Sequence, residues 1–485
     1  DVFWLELDGL VADTAYLFQY LVDGEIKIAD PYSNKIASQF DDPQIISENR
    51  YPNLKAYPFT KTSEAISYLQ TGQAPFTWTD FTRPAKEDLV IYELLIRDFT
   101  EERTFEAVIN KLDYLEDLGV NAIELMPVQE FEGNISWGYN PAFLFAVDKF
   151  YGTELDLKTL INEAHKRGIA IIFDIVLNHH FGRNPLVRLY NEGIYGNPTS
   201  DNPWFNTRAK HDFNVGYDMN HESLLTKDYV ARVVTYWLEA YNIDGYRFDL
   251  SKGFTQKNSL GNIGLWGNYD ASRVAIWKNI ADTIWATHPD AYIILEHFAD
   301  NREEKELAEY GMMLWGNVQH SYLNASKGSS TSLDNAYYIN KGWNVPHLIN
   351  YIESHDEERF VWQLKKTLNE YEALERAKLA TAFFLTLPGP KMIWQFGEFG
   401  YDEELNNDRL GIKPTRWEYL TEINRAKLFN LYKSLTHLKT RTDYINVANF
   451  TWSVSDFIKT INSTNDEVDI YLIGNFDDEV RTGNH

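Results

Sequence analysis

A chain of 485 residues is too long for one ordinary core, and a formal net charge of −26 argues against a nucleic-acid binder and disfavours anionic polysaccharides or lipid surfaces as partners. No apolar run reaches the roughly 20 residues of a membrane-spanning helix. The absence of cysteine excludes disulfides, thiolate zinc sites and cysteine nucleophiles. Two or three globular domains acting on a neutral substrate are therefore expected, with the oligomeric state left open. Cysteine usage does not fix the compartment; an extracytoplasmic location is the expectation. The chain opens on a strand-like stretch with no leader, so we expect it to be trimmed. Its 14 Trp, 30 Tyr and 28 Phe suit either sugar stacking or core packing, and composition does not choose between them.

Residues 1–80 read as a small β-sandwich, because VFWLELDG, TAYLFQYLVDG and EIKIADPY alternate apolar and polar residues and are punctuated by Asp-Gly turns. Ala74 to Glu87, with two prolines, reads as a linker. From about residue 88, short apolar runs alternate with amphipathic helical segments. The runs are LVIYELLI (89–96), VNAIELMPV (120–128), IAIIFDIV (169–176), DGYRFDL (244–250), AYIILEHF (291–298), GMMLW (311–315), HLINYIE (347–353) and GPKMIWQ (389–395). Helices are expected over 104–119, 156–168, 227–242, 272–288 and 372–387. Repeats of this kind predict an α/β fold, a parallel (β/α)8 barrel over 81–440, with strands apolar on both faces. An irregular insert at about 180–220 is long enough to be functional. After 440 the chain turns strand-like again, and 441–485 read as the start of a C-terminal β domain.

Barrel active sites lie at the C-terminal strand ends. The third strand ends in Asp174, with Asn178 and His179 beyond it. The fourth ends in Arg247 and Asp249, the fifth in Glu296, and the seventh in Glu353, His355 and Asp356. Singly, each reads as readily as a structural ion pair or a helix cap. Carboxylates converging from four strand ends suggest acetal cleavage, which needs a proton donor and a negative group facing an oxocarbenium-like carbon. Arg247 lies two residues before Asp249, so both face the lumen, and the guanidinium is expected to hold Asp249 ionised. Glu296, on an apolar strand, is expected to have its pKa raised, as an acid/base requires.

DIVLNH (174–179), GYRFDLSK (245–252), ILEHF (294–298) and YIESHDEER (351–359) resemble, in order, the four conserved regions of glycoside hydrolase family 13, the α-amylase family. The resemblance covers about residues 88–440. It implies Asp249 as nucleophile, Glu296 as general acid/base and Asp356 as transition-state stabiliser. It also implies that Asp174, His179, Arg247 and His355 hold the sugar or orient the nucleophile. WGYNP (137–141) resembles a loop whose tyrosine stacks on the sugar, which implies Tyr139 as platform. IYELLIRDF (91–99) is similar to the first strand of pullulanase-, isoamylase- and branching-enzyme-like members, and the opening sandwich is similar to their N-terminal carbohydrate-binding module of family 48.

The chain departs from the family where Gly253, not histidine, follows Lys252. Asn178 and Asp218 match calcium positions only in part and read equally as a hydrogen-bonded loop anchor. No cofactor is required, and a structural calcium stays open. The expected activity is retaining hydrolysis of α-1,4 bonds in starch, glycogen or maltooligosaccharides, with glucan branching or α-1,6 debranching as the alternative. A catalytically dead glucan-binding scaffold would have lost a carboxylate. An aldolase or phosphosugar isomerase would need a Schiff-base lysine or a phosphate loop, where this chain has acidic GEFGYDEE (397–404).

Overall fold

The computed structural model describes residues 4–441, 449–464 and 469–482. All eight expected apolar runs become strands of one closed parallel barrel, in chain order: β1 (Val90–Leu94), β2 (Ala122–Leu125), β3 (Ala170–Ile175), β4 (Gly245–Phe248), β5 (Tyr292–Leu295), β6 (Met313–Asn317), β7 (Leu348–Tyr351) and β8 (Lys391–Trp394), which pairs back with β1.

The two-residue period of a strand divides each run between two cores. Val90, Tyr92, Ile171, Phe173, Tyr246, Phe248, Ile293 and Leu295 face outward into the main core under the helices. Ile91, Ala122, Ile172, Ile294, Met313, Ile349 and Met392 face inward and fill the lumen. Two residues further along the same strands stand Glu93, Glu124, Asp174, Glu296, Trp315, Tyr351 and Trp394, with Arg247 two residues beyond Gly245. The lumen is thus apolar below and charged towards the C-terminal mouth. Gly245 is required where it stands, since a Cβ there would lie 2.3 Å from the Tyr292 carbonyl oxygen.

The outer helices that follow the strands are α1 (Leu112–Leu118), α2 (Glu154–Lys166), α3 (Leu224–Tyr241), α4 (Ala271–Trp285), α5 (Asn301–Tyr310), α6 (Gln319–Ser326), α7 (Glu370–Leu385) and α8 (Ile423–Arg441). α2 and α7 begin with capping boxes, Thr153 with Asp156 and Asn369 with Glu372. The single helix expected over 104–119 is instead two pieces, Phe105–Ile109 and α1, broken at Asn110 and ended by Gly119 at φ 88°.

The N-terminal region is strand-rich. Tyr16–Phe18, Ile66–Leu69 and Ile36–Ala37 form a three-stranded sheet, and Tyr20–Val22 pairs with Ile26–Ile28 across Asp23 and Gly24, both at positive φ. Of VFWLELDG, residues 4–9 form no strand; alternation gives a strand only where a partner edge exists, and Trp4 and Leu5 stay exposed. The linker has little regular structure yet is strapped to the barrel. Phe81 stacks on His165 at 4.2 Å, and Arg83 pairs with Asp244 at 2.8 Å. At the other end, Phe450–Ser453, Ile458–Thr464 and Asp469–Asn475 form an antiparallel sheet, and Phe476 packs on Phe383 of α7. Residues 442–448 of the expected C-terminal domain lie outside the described residues.

Candidate active site

Asp249 and Glu296 are the first residues after β4 and β5, and His355 and Asp356 follow β7. Registration of β3 with β4 sets Asp174 beside Arg247. The Arg247 guanidinium is buried at the centre of the mouth. Its Nη1 donates to both Asp174 oxygens at 2.9 and 3.0 Å and to Asp249 Oδ1 at 3.1 Å. Its Nη2 lies 3.0 Å from Glu296 Oε2 as an ion pair, and its plane covers the Trp315 ring at 4.2 Å.

The guanidinium expected to hold Asp249 ionised also serves two other carboxylates. The guanidinium is divided among three carboxylates, because the register also brings Asp174 against it. Burial pushes the Asp249 carboxyl well up; Arg247 opposes this, while Glu296, Asp174 and Asp356 add to it. Burial also pushes Glu296 up, against Arg247 and with the help of Asp356. One guanidinium thus faces three crowded carboxylates, and burial disposes both Asp249 and Glu296 towards holding a proton.

Backbone geometry contributes a donor that composition could not announce. Leu250 has φ 46°, a strained conformation for a branched residue, and its N–H donates to Glu296 Oε2 at 2.8 Å. Asp356, half-exposed at the mouth, accepts from Arg409 Nη2 at 2.7 Å. Burial would raise its pKa, but His355, Arg247 and Arg409 together hold it below the usual carboxylate range. His355 is buried, with Nδ1 2.5 Å from Glu93 Oε1 and Nε2 3.4 Å from Asp356 Oδ2. Glu93, Arg409 and the Leu250 amide are the participants that sequence reasoning missed.

Tyr139 is half-buried, stacks on His355 with centroids 5.0 Å apart, and donates its hydroxyl to Asp174 at 2.6 Å. His179 stands against the Tyr139 loop. It is buried, with Nε2 donating to the Tyr139 carbonyl at 2.9 Å and Nδ1 3.2 Å from Asn178 Nδ2. Burial lowers its pKa to about 4, so it is neutral. With both nitrogens engaged, it supports the Tyr139 loop.

Asn178 and Asp218 are brought together where His179–His180 pairs with Tyr217–Asp218 at the base of the insert. Half of each side chain anchors the loop: Asn178 Nδ2 donates to Asn214 at 3.1 Å, and Asp218 Oδ2 accepts from Asn206 at 2.7 Å. The other halves, Asn178 Oδ1 and Asp218 Oδ1, are buried without a hydrogen-bond partner, as is His211 Nε2. A Cβ on Gly253 would lie 1.8 Å from Asn178 Oδ1, so the residue after Lys252 closes on this point. Two orphaned oxygens suit a hard cation. Among the described residues, however, no three His, Cys, Asp or Glu side chains form a metal-holding group.

Comparison with known proteins agrees with this geometry. The family described as "Alpha amylase, catalytic domain" matches residues 100–212 and 198–443. The chain belongs to the α-amylase family, glycoside hydrolase family 13. It is 36% identical over 227 residues to a malto-oligosyltrehalose trehalohydrolase of Saccharolobus solfataricus, covering 46% of this chain and 36% of that protein. It is 26% identical over 370 residues to an α-amylase of Haloarcula japonica, covering 73% of this chain and 51% of that protein. It thus spans between about a third and a half of these curated relatives. In structure it is similar to a type I pullulanase of Bacillus subtilis, with TM-score 0.68, 20% identity, and coverage of 93% of this chain and 69% of that one. No described helix is long and apolar enough to cross a membrane.

Proposed function

We propose that this family 13 chain is a retaining glycoside hydrolase that cleaves α-1,4-glucosidic bonds in starch, glycogen or maltooligosaccharides. The observation that carries this reading is the gathering of Asp249, Glu296 and Asp356 at the barrel mouth, the first two sharing the Arg247 guanidinium. Asp249 attacks the anomeric carbon and Glu296 protonates the departing glycosidic oxygen. The resulting glycosyl-enzyme is hydrolysed by water that Glu296 deprotonates. Asp356 stays ionised to stabilise the positive charge on the sugar ring. Arg247 and Asp174 orient the nucleophile, and Tyr139 offers its ring as a platform, backed by His355 and held by His179.

The similarity to the Saccharolobus trehalohydrolase favours a second reading, in which the glucan carries a trehalose end. Branching and α-1,6 debranching use the same three carboxylates, since acceptor access and loop shape decide the outcome. Mass analysis of products from maltoheptaose, pullulan, glycogen and a malto-oligosyltrehalose separates these readings. Release of maltooligosaccharides from maltoheptaose with pullulan left intact supports the first. Release of trehalose together with the matching maltooligosaccharide from the malto-oligosyltrehalose, with maltoheptaose left intact, supports the second, and longer branched products support transfer.

Tyr139→Ala is expected to lower kcat/KM by about 1–3 kcal/mol, taking ring stacking as comparable to other aromatic platforms. An unchanged kcat/KM on maltoheptaose would return Tyr139 to a packing role.

If a calcium ion is bound, Asn178 and Asp218 hold it through the two orphaned oxygens, and it ties the insert to the barrel. It supplies structural cross-linking and takes no part in bond cleavage. A strong chelator is then expected to lower Tm, because a ligand bound only by the folded state stabilises that state. An unmoved Tm together with no metal by elemental analysis would leave the anchor reading alone.

A further inference from the structure

We propose that Glu93, in the first barrel strand, is a positioning residue that clamps His355 at two points and supplies the counter-charge beneath it, so that His355 in turn holds Asp356 in its working state. The inference rests on the reading of the Asp249–Glu296–Asp356 mouth as the reacting centre.

Glu93 is fully buried inside an otherwise apolar strand, where a carboxylate needs a partner. It finds both contacts on one residue. Oε1 is 2.5 Å from His355 Nδ1, and Oε2 accepts the His355 main-chain N–H at 3.2 Å. The side chain and the turn after β7 are therefore fixed together. The rings of Tyr139 and Trp137, with centroids 5.0 and 5.5 Å away, wall the imidazole in. A carboxylate acceptor requires a proton on Nδ1, which directs Nε2 towards Asp356, 3.4 Å away.

Glu124 explains how the charge is distributed. It stands opposite Glu93 in register, and neither of its oxygens has a hydrogen-bond partner. Burial first, and then Glu93, push its carboxyl well above the ordinary range. Of the two facing carboxyls, Glu124 is thus the one disposed to hold a proton, while Glu93 has His355 as its partner. Burial opposes the imidazolium and Arg247 repels it, but Asp356 and Glu93 outweigh both, and the His355 pKa is pushed up to about 10. Glu296, Glu353 and Glu357, with Asp174 across the lumen and the Tyr139 and Tyr351 hydroxyls, are further ionisable groups around this cluster.

Glu93→Gln keeps the size of the side chain and an acceptor for Nδ1–H, but removes the charge and the second acceptor, the one that takes the His355 main-chain N–H. At pH 5–6 its kcat/KM on maltoheptaose is expected to stay within about threefold of wild type. At pH 8–9 it should fall at least about tenfold below wild type, because an imidazole without its carboxylate loses its proton nearer the ordinary value of about 6.5. Glu93→Asp restores the charge and should restore the wild-type profile. Glu124→Gln, at a carboxyl with no hydrogen-bond partner, should leave it unchanged. Nitrogen-15 NMR of His355 should show protonation persisting through pH 8 in wild type and lost near neutrality in Glu93→Gln. A pH-independent loss in Glu93→Gln, or an unchanged His355 titration, would overturn the proposal. So would a wild-type His355 that deprotonates near neutrality, a result that needs no variant to fold. Failure of the wild type to cleave any α-glucan would sink the functional reading, while the NMR titration would still decide the role of Glu93.

Discussion

Asp249→Asn is expected to lower kcat by about 10³-fold or more while leaving the fold intact, because an amide cannot form the glycosyl-enzyme. The structure adds a sign for stability. Asp174, Asp249 and Glu296 compete for one guanidinium in a buried site. Removing one negative charge relieves repulsion, and the asparagine oxygen can still accept from Arg247 Nη1. Tm should therefore not fall. Thermal melting and steady-state hydrolysis of maltoheptaose check both halves. A kcat within about tenfold of wild type would remove Asp249 from the nucleophile's role. A large drop in Tm would mean that the charge had been holding the mouth together.

Glu296→Gln should cost about 10²–10⁴-fold on maltooligosaccharides, the usual range for losing a general acid, but far less on a glucoside with a good leaving group. A nitrophenolate departs without protonation, so forming the glycosyl-enzyme no longer needs the acid. The contacts from the Leu250 N–H and Arg247 to Oε2 can persist with the amide oxygen turned towards them. The ratio of wild-type to variant kcat/KM for the two substrates is the readout, because kcat/KM reports formation of the glycosyl-enzyme, whereas its hydrolysis needs Glu296 as base with either substrate. Equal losses on both would show that Glu296 shapes the site without donating a proton. The same good leaving group should not rescue Asp249→Asn, and that contrast assigns the two carboxylates separately.

The barrel was legible because each strand is a short apolar run bounded by turn residues, and charges inside such runs can face only the lumen. Asp174, Arg247, Asp249 and Glu296 were found that way. Glu93 and Glu124 carry the same signal, a carboxylate within IYELL and IELMP, but Glu93 acquires meaning only from His355, 262 residues away. No spacing rule reaches that far. Arg409 stands in an irregular loop whose lack of period gave no hint that it would return to Asp356. The αL turn at Leu250 was hidden because leucine disfavours it. Asn178 and Asp218 were singled out only as calcium ligands or a loop anchor, and it takes the pairing of His179–His180 with Tyr217–Asp218 to show each side chain half used as an anchor and half left without a hydrogen-bond partner.

The central claim is that Asp249 attacks from one side of the sugar and water later enters from that same side. Proton NMR of the first products released from maltoheptaose tests it most directly. A double displacement predicts the α-anomer at the newly formed reducing end, with the β-anomer growing in only as the sugar mutarotates. The β-anomer appearing first would mean that water attacks directly, and it would contradict the assignment of Asp249 as nucleophile.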